Sequence, residues 1–457
     1  MPFYKNHLNL FLRILTCLST ALSFAQSQGF LGVPQFNPLS LTQSLPKGIV
    51  SEATVNRHQP INPPSMYPQL DSNVKRQNQE IMKTAEQNES IRMQHLQNDN
   101  QEHISIHYNL PSHSKQAGTQ YYVDTFNKML SIDPDNYSIK DINFQIENAF
   151  TGNTESKAEF DKTIQETSRF LKAKMKELGY DENSNLAKNY ILFQFFSETM
   201  QLKATAQKHF PLKYDFNDYT GTKDWSKMFV TKLIQSGTGQ CHSMPLLYLI
   251  LAEEIGAKSY LAFSPNHSYI KFQDGKDKWY NLELTNGMFT TDSFILNSGF
   301  IKSEALQNGI YMQTLSERQL LSQLYTDLAA GYLHKYGYDR FVEIAVNKAL
   351  ELYPNNINAN KLLSNYYTEL FLYVTKQLDI NPEKREQLVQ IRDNPDAMAI
   401  LMATQKQYEL IDASGFEYMP AEAYERWLSS LNNEKSKQEN KAVSKQFKGL
   451  IKSKPKN

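Results

Sequence analysis

Apolar residues recur at helical spacing along two long stretches of the chain, alternate along a shorter stretch between them, and thin out at both ends. The first helical stretch opens with a capping-box pattern, Ser138-Ile-Lys-Asp141, ahead of Ile142, Phe144, Ile146 and Phe150. A second helix is predicted over 157–178, where Phe160, Ile164, Leu171, Met175 and Leu178 fall near i, i+3, i+4 and Gly179 stands as the stop. A third is predicted over 184–208. The middle of the chain mixes periods: a helix over 224–234, a loop over 235–240, then a long apolar helix over 241–255 ended by Gly256. Extended runs follow over 258–263, 267–273 and 279–285, the last two joined by a hairpin loop containing Asp274-Gly275. From Leu320 the helical period returns. It runs through Leu328, Ala329, Tyr332, Ala345, Ala349 and Leu350, then 361–378, and reads as two shorter helices over 394–431.

The ends change the picture. Residues 1–25 read as a signal peptide: Lys5 and Arg13 are basic, 14–24 is a short apolar run, and Ser23-Phe24-Ala25 before Gln26 fits small-residue cleavage. The expected protein is therefore exported, periplasmic or extracellular. No run approaches the roughly 18 apolar residues of a spanning helix, so no stable membrane span is expected. Residues 26–120, rich in Gln, Asn and Ser with prolines at 34, 38, 46, 60, 63, 64 and 68, read as a low-complexity and largely disordered arm. Residues 434–457 carry eight Lys against two Glu and read as a Lys-rich flexible tail. Lys plus Arg and Asp plus Glu balance at 48 each, which leaves no net field to gather nucleic acid. Apolar residues at 40%, with 26 Tyr and 25 Phe, require a packed core between those ends. The division expected is 121–216, a helical region packing on the core; 217–318, the mixed core; and 319–433, a further helical region.

One thiol survives removal of the leader, because Cys17 leaves with it and Cys241 remains. Cys241 follows a Gly-rich loop at a predicted helix start, where free backbone N–H groups and the helix dipole stabilise a thiolate. A base is found by elimination. His7, His58, His95, His103, His107 and His113 lie in the leader or the arm, His334 in the later helices, and His209 just before Pro211. His242 adjoins Cys241, but consecutive helical side chains diverge by about 100°. His267 opens a strand and is best placed. Parity supplies an acid: Ile270, Phe272, Leu282 and Leu284 are all even-numbered, so His267, Asn281, Glu283 and Thr285 share the other face of the hairpin. Glu283 then lies across or diagonal to His267, where a carboxylate orients an imidazole.

Gly239-Gln-Cys241, the apolar helix from Pro245 to Gly256, His267, and Trp279-Tyr-Asn-Leu-Glu283-Leu-Thr285 together resemble the transglutaminase-like superfamily, over about residues 217–300. The resemblance implies an α+β fold whose papain-like core, a helix plus antiparallel sheet, is flanked by helical regions. It implies a catalytic triad of Cys241 as nucleophile, His267 as base and Glu283 where that family usually has Asp. No cofactor or metal is called for. The expected activity is thiol acyl transfer, as amide or peptide hydrolysis or transfer, on a protein or peptide. A second class stays open: a noncatalytic protein- or peptide-binding scaffold. The segment from Leu328 to Pro354 resembles a degenerate tetratricopeptide repeat, a helix pair of about 34 residues.

Overall fold

A computed structural model describes residues 108–438. The expected signal peptide, the arm up to residue 107 and the tail beyond residue 438 lie outside the described residues. Among the described residues four helices come first: α1 (Thr119–Leu130), α2 (Ile139–Phe150), α3 (Lys157–Leu178) and α4 (Asn185–Ser197). Ser138, Ser156 and Ser184 cap the last three, each side chain accepting the backbone N–H three residues on. Gly179 ends α3 in the left-handed conformation. Helix α4 stops well short of residue 208. Its apolar run ends at Phe196, Glu198 is extended, and β1 (Met200–Gln201) pairs antiparallel with β2 (Lys208–His209).

The middle third builds the sheet. Strand β3 (Lys213–Tyr214) runs parallel to β4 (Thr238–Gly239). Between them the single helix expected over 224–234 is two pieces, a 3-10 turn over Trp225–Met228 and α5 (Val230–Ser236), separated where Phe229 is extended. Helix α6 (Ser243–Ile255) is buried on nearly every side, as an all-round apolar sequence requires. It packs against α3, α4, β5 and β6. Strands β5 (Tyr260–Ser264), β6 (His267–Gln273), β7 (Trp279–Glu283) and β8 (Met288–Thr290) form one antiparallel sheet in that order. The register Ile270↔Leu282 puts the even-numbered apolar residues of β6 and β7 on one face. The odd-numbered face is buried too: His267, Asn281, Glu283 and Thr285 are all inaccessible.

After short α7 (Asp292–Leu296) and α8 (Ser303–Gln307), the chain is helical. It forms α9 (Glu317–Tyr336), α10 (Arg340–Leu352), α11 (Ile357–Gln377), α12 (Arg385–Leu388), α13 (Pro395–Ala413) and α14 (Ala421–Gln438). The fold is α+β. Two expected boundaries move. Residues 113–117, read as part of the arm, are tied down by hydrogen bonds: the His113 N–H donates to Asp339 Oδ2 (2.8 Å) and Tyr336 Oη to the Ala117 carbonyl (3.0 Å). Helix α14 crosses the 433/434 boundary, because its apolar stripe of Tyr424, Trp427, Leu428 and Leu431 carries the helix into the Lys-rich segment.

Candidate active site

The loop before α6 is set by close approach. Gly237 closes α5 with φ 66°, and β4 then lies so near its neighbours that a Cβ on Gly239 would stand 2.7 Å from Ser243 Oγ and 2.9 Å from Leu233 Cδ1. The helical ladder begins with Met244 N–H donating to Gln240 O (3.0 Å), and Ser243 Oγ accepts the Gln240 N–H (2.9 Å). Regular helix starts at Ser243, two residues later than the start at Cys241 read from the sequence, so Cys241 sits in the turn that opens it. Ser268 Oγ–H donates to the Cys241 carbonyl and ties this turn to β6.

His267 enters β6 from a tight turn in which Asn266 takes φ 55°, a left-handed position that Asn tolerates. Glu283 ends β7, diagonal to His267 when the register is continued to the strand end. His267 Nε2 lies 2.7 Å from Glu283 Oε2, and Glu283 Oε1 accepts the Thr285 N–H at 2.8 Å. The structure brings all three sequence-derived residues together. Cys241, His267 and Glu283 are 4%, 1% and 3% exposed.

Their charges support one another. Burial opposes charge on His267, but the Glu283 carboxylate and the adjacent Cys241 sulfur outweigh it and raise the imidazole from 6.5 to about 10. Burial likewise pushes Glu283 up, and the His267 charge, with hydrogen bonds from His267 and Thr285, more than reverses that and leaves it lowered. The arrangement is a carboxylate beside an imidazolium at neutral pH.

Three residues at the site were not found from the sequence. Tyr424 Oη, from α14, is 3.1 Å from His267 Nδ1 and donates to Cys241 Sγ at 3.7 Å. Trp427, one turn on, packs edge-on to the His267 ring with centroids 4.7 Å apart. Tyr214 reaches the sulfur from β3, and its hydroxyl is 3.5 Å from that of Tyr424. Burial first, then the Cys241 sulfur, raises both phenols well above their ordinary value. An i, i+3, i+4, i+7 stripe from Tyr424 to Leu431 marks α14 as a packed helix, but nothing in a linear pattern says what it packs on.

The other histidines turn elsewhere. His242 Nε2 faces Asp327 Oδ2 of α9 at 3.4 Å. His209 stacks on Phe195 (3.6 Å) and donates to its carbonyl, and His334 stacks on Trp225 at 4.7 Å. Among the described residues, no His, Cys, Asp and Glu group has the makings of a metal site.

No family model matches the chain, and no curated protein does. Among solved structures it is matched to a crystal structure of menin, described as revealing the binding site for the Mixed Lineage Leukemia (MLL) protein. The identity is 13% and the TM-score 0.28, over 59% of this chain and 69% of the menin chain. A likeness of that size carries no argument for this protein. No helix among the described residues is long and apolar enough to cross a membrane.

Proposed function

We propose that this chain is an exported, transglutaminase-like cysteine enzyme that acts by thiol acyl transfer on amide bonds of a protein or peptide. The observation that carries the reading is the grouping of Glu283, His267 and Cys241: one imidazole edge is held by a carboxylate at 2.7 Å, and the ring lies beside the one thiol among the described residues, with Tyr424 Oη against both. In the reaction, the Cys241 thiolate attacks the amide carbon and forms a C–S bond. The C–N bond then breaks as the His267 imidazolium gives its proton to the leaving amine. Water attacks the thioester while His267 takes up a proton, releasing the acid and restoring the starting pair. Glu283 keeps the ring oriented and its charge compensated throughout. An amine in place of water gives transfer.

Acylation by a small activated ester, p-nitrophenyl acetate, tests this. A thioester should be found on Cys241 by mass spectrometry, and general acid–base catalysis at the usual scale predicts a loss of about 10²–10⁴-fold in His267→Ala. Equal acylation of Cys241 in wild type and His267→Ala rejects the reading. The second reading, a binding scaffold, is favoured by the burial of the pair beneath α14; it requires a thiol that stays inert even when uncovered.

A further inference from the structure

We propose that helix α14 (Ala421–Gln438) is an intramolecular plug that holds the Cys241–His267 pair shut, so that the enzyme works only when this helix lifts. The inference rests on reading that pair as the reacting groups.

Attack requires a carbonyl carbon about 3–3.5 Å from the sulfur, with the leaving nitrogen in hydrogen-bond reach of the imidazole. That place is filled. The Tyr424 hydroxyl lies against both reacting groups, 3.1 Å from His267 Nδ1 and 3.7 Å from Cys241 Sγ, and Trp427 packs edge-on to the ring. The protonated ring donates Nδ1–H to Tyr424 Oη, which donates onward to the sulfur. The hydroxyl thereby takes the position and the hydrogen bonds that an acyl group needs.

The plug is attached in a manner suited to release. Helix α14 adds no strand to the sheet; beside its apolar stripe of Tyr424, Trp427, Leu428 and Leu431 it is held by a few polar contacts, two of them next to the reacting residues. Asn266, next to His267, donates from Nδ2 to Met419 O (2.9 Å), in the segment that leads into α14. Asn286, three residues beyond Glu283, donates from Nδ2 to Leu431 O (2.6 Å), and Lys435 Nζ returns to the Asn286 carbonyl. Tyr219 Oη–H donates to Glu425 Oε1 at 2.8 Å on the flank. The outward face, with Glu422, Glu425, Arg426 and Ser429, is polar and lines a surface depression. Closure also carries a cost, because the buried Trp427 Nε1–H has no acceptor. Water would satisfy that donor once the helix lifts.

The test is the rate at which iodoacetamide alkylates Cys241 in the full chain, read on the Cys241 peptide by mass spectrometry. The native chain should react far more slowly than the urea-unfolded chain. Tyr424→Ala should react faster, and so should the double variant Tyr219→Phe/Asn286→Ala, which loosens two clamps without touching the pair or the apolar stripe. Two lost hydrogen bonds correspond to about a tenfold larger open fraction. Far-UV circular dichroism and the urea midpoint check that each variant is folded, and the double variant stands in if Tyr424→Ala is not. Acylation by p-nitrophenyl acetate should rise in step. Native alkylation as fast as unfolded, or no acceleration in a folded variant, overturns the plug. Faster alkylation that brings no His267-dependent acylation keeps the helix as a cover and rejects the catalytic reading of the pair.

Discussion

Replacing Glu283 by Gln leaves the shape of the site and removes the charge that holds the His267 proton, so its effect reads the pair directly. His267 is raised from 6.5 to about 10, so its contribution to stability is complete below about pH 6.5 and is lost as pH rises through about 10. Glu283 is lowered from 4.5, so its contribution is present above about pH 4.5 and is lost as pH falls through its folded value. The pair therefore stabilises most between those limits. The urea midpoint of the wild type should fall between pH 6.5 and 10, and Glu283→Gln should flatten that fall while costing about 3–5 kcal/mol at pH 6. Equal slopes in the two proteins would mean that the ring is not charged. At this same scale, acylation of Cys241 by p-nitrophenyl acetate should slow in His267→Ala, because the ring that exchanges the proton is gone. His242→Ala should leave that rate in place, since that ring faces Asp327. Cys241, His267 and Glu283 were legible because thiol chemistry, elimination and strand parity each point to a residue. Tyr424 was not, because it reaches the sulfur from 183 residues away and its chemistry is that of any buried tyrosine.

Elements were legible where one signal dominated, as in α3, with a capping serine, a period of 3.6 and a terminal glycine, and in β6 and β7, with a period of 2. They were misread where pairing decides the state. The 198–209 segment has no apolar period, and it turns into β1 and β2 by pairing with itself. Strand β8, three residues long, exists because β7 offers it an edge. Helix ends depend on contacts of the same kind. Asp339 caps α10 through Phe341 N–H (2.9 Å) and also accepts His113 N–H (2.8 Å) and Tyr332 Oη–H (2.7 Å), so one buried carboxylate joins α9, α10 and residues ahead of α1. Asp339→Ala removes the cap and strands two donors. A cap is worth about 1 kcal/mol and each stranded donor about 1–3 kcal/mol, so the loss should be roughly 3–7 kcal/mol by urea titration. A loss below about 1 kcal/mol would show that water replaces these bonds.

At the scale of the whole molecule, the boundaries read at 216/217 and 318/319 divide the sequence but not the packing. One contiguous apolar cluster runs from Tyr122 to Leu431, taking in α1–α4, the sheet and the later helices. Composition shifts locate where the period of the chain changes, whereas a core is defined by contacts that no single segment contains. The edge-on contacts of Tyr122 with Tyr332 (5.4 Å) and of Phe126 with Tyr325 (5.7 Å) are such contacts, joining α1 to α9 across some 200 residues. A shared core predicts one cooperative transition, with far-UV circular dichroism and tryptophan fluorescence coincident in urea. Against that background the exchange behaviour of Cys241 is diagnostic. If the thiol is reached only when the whole core opens, its alkylation in low urea must rise with the full dependence of global unfolding. If α14 lifts by itself, little surface is exposed, and alkylation should depend only weakly on urea until the global transition takes over. Helix α14 joins the core through one apolar stripe, with a few polar clamps beside it and no strand in the sheet, so the expected curve is shallow and then steep. A curve steep from zero urea would tie α14 to the core as a permanent part of it.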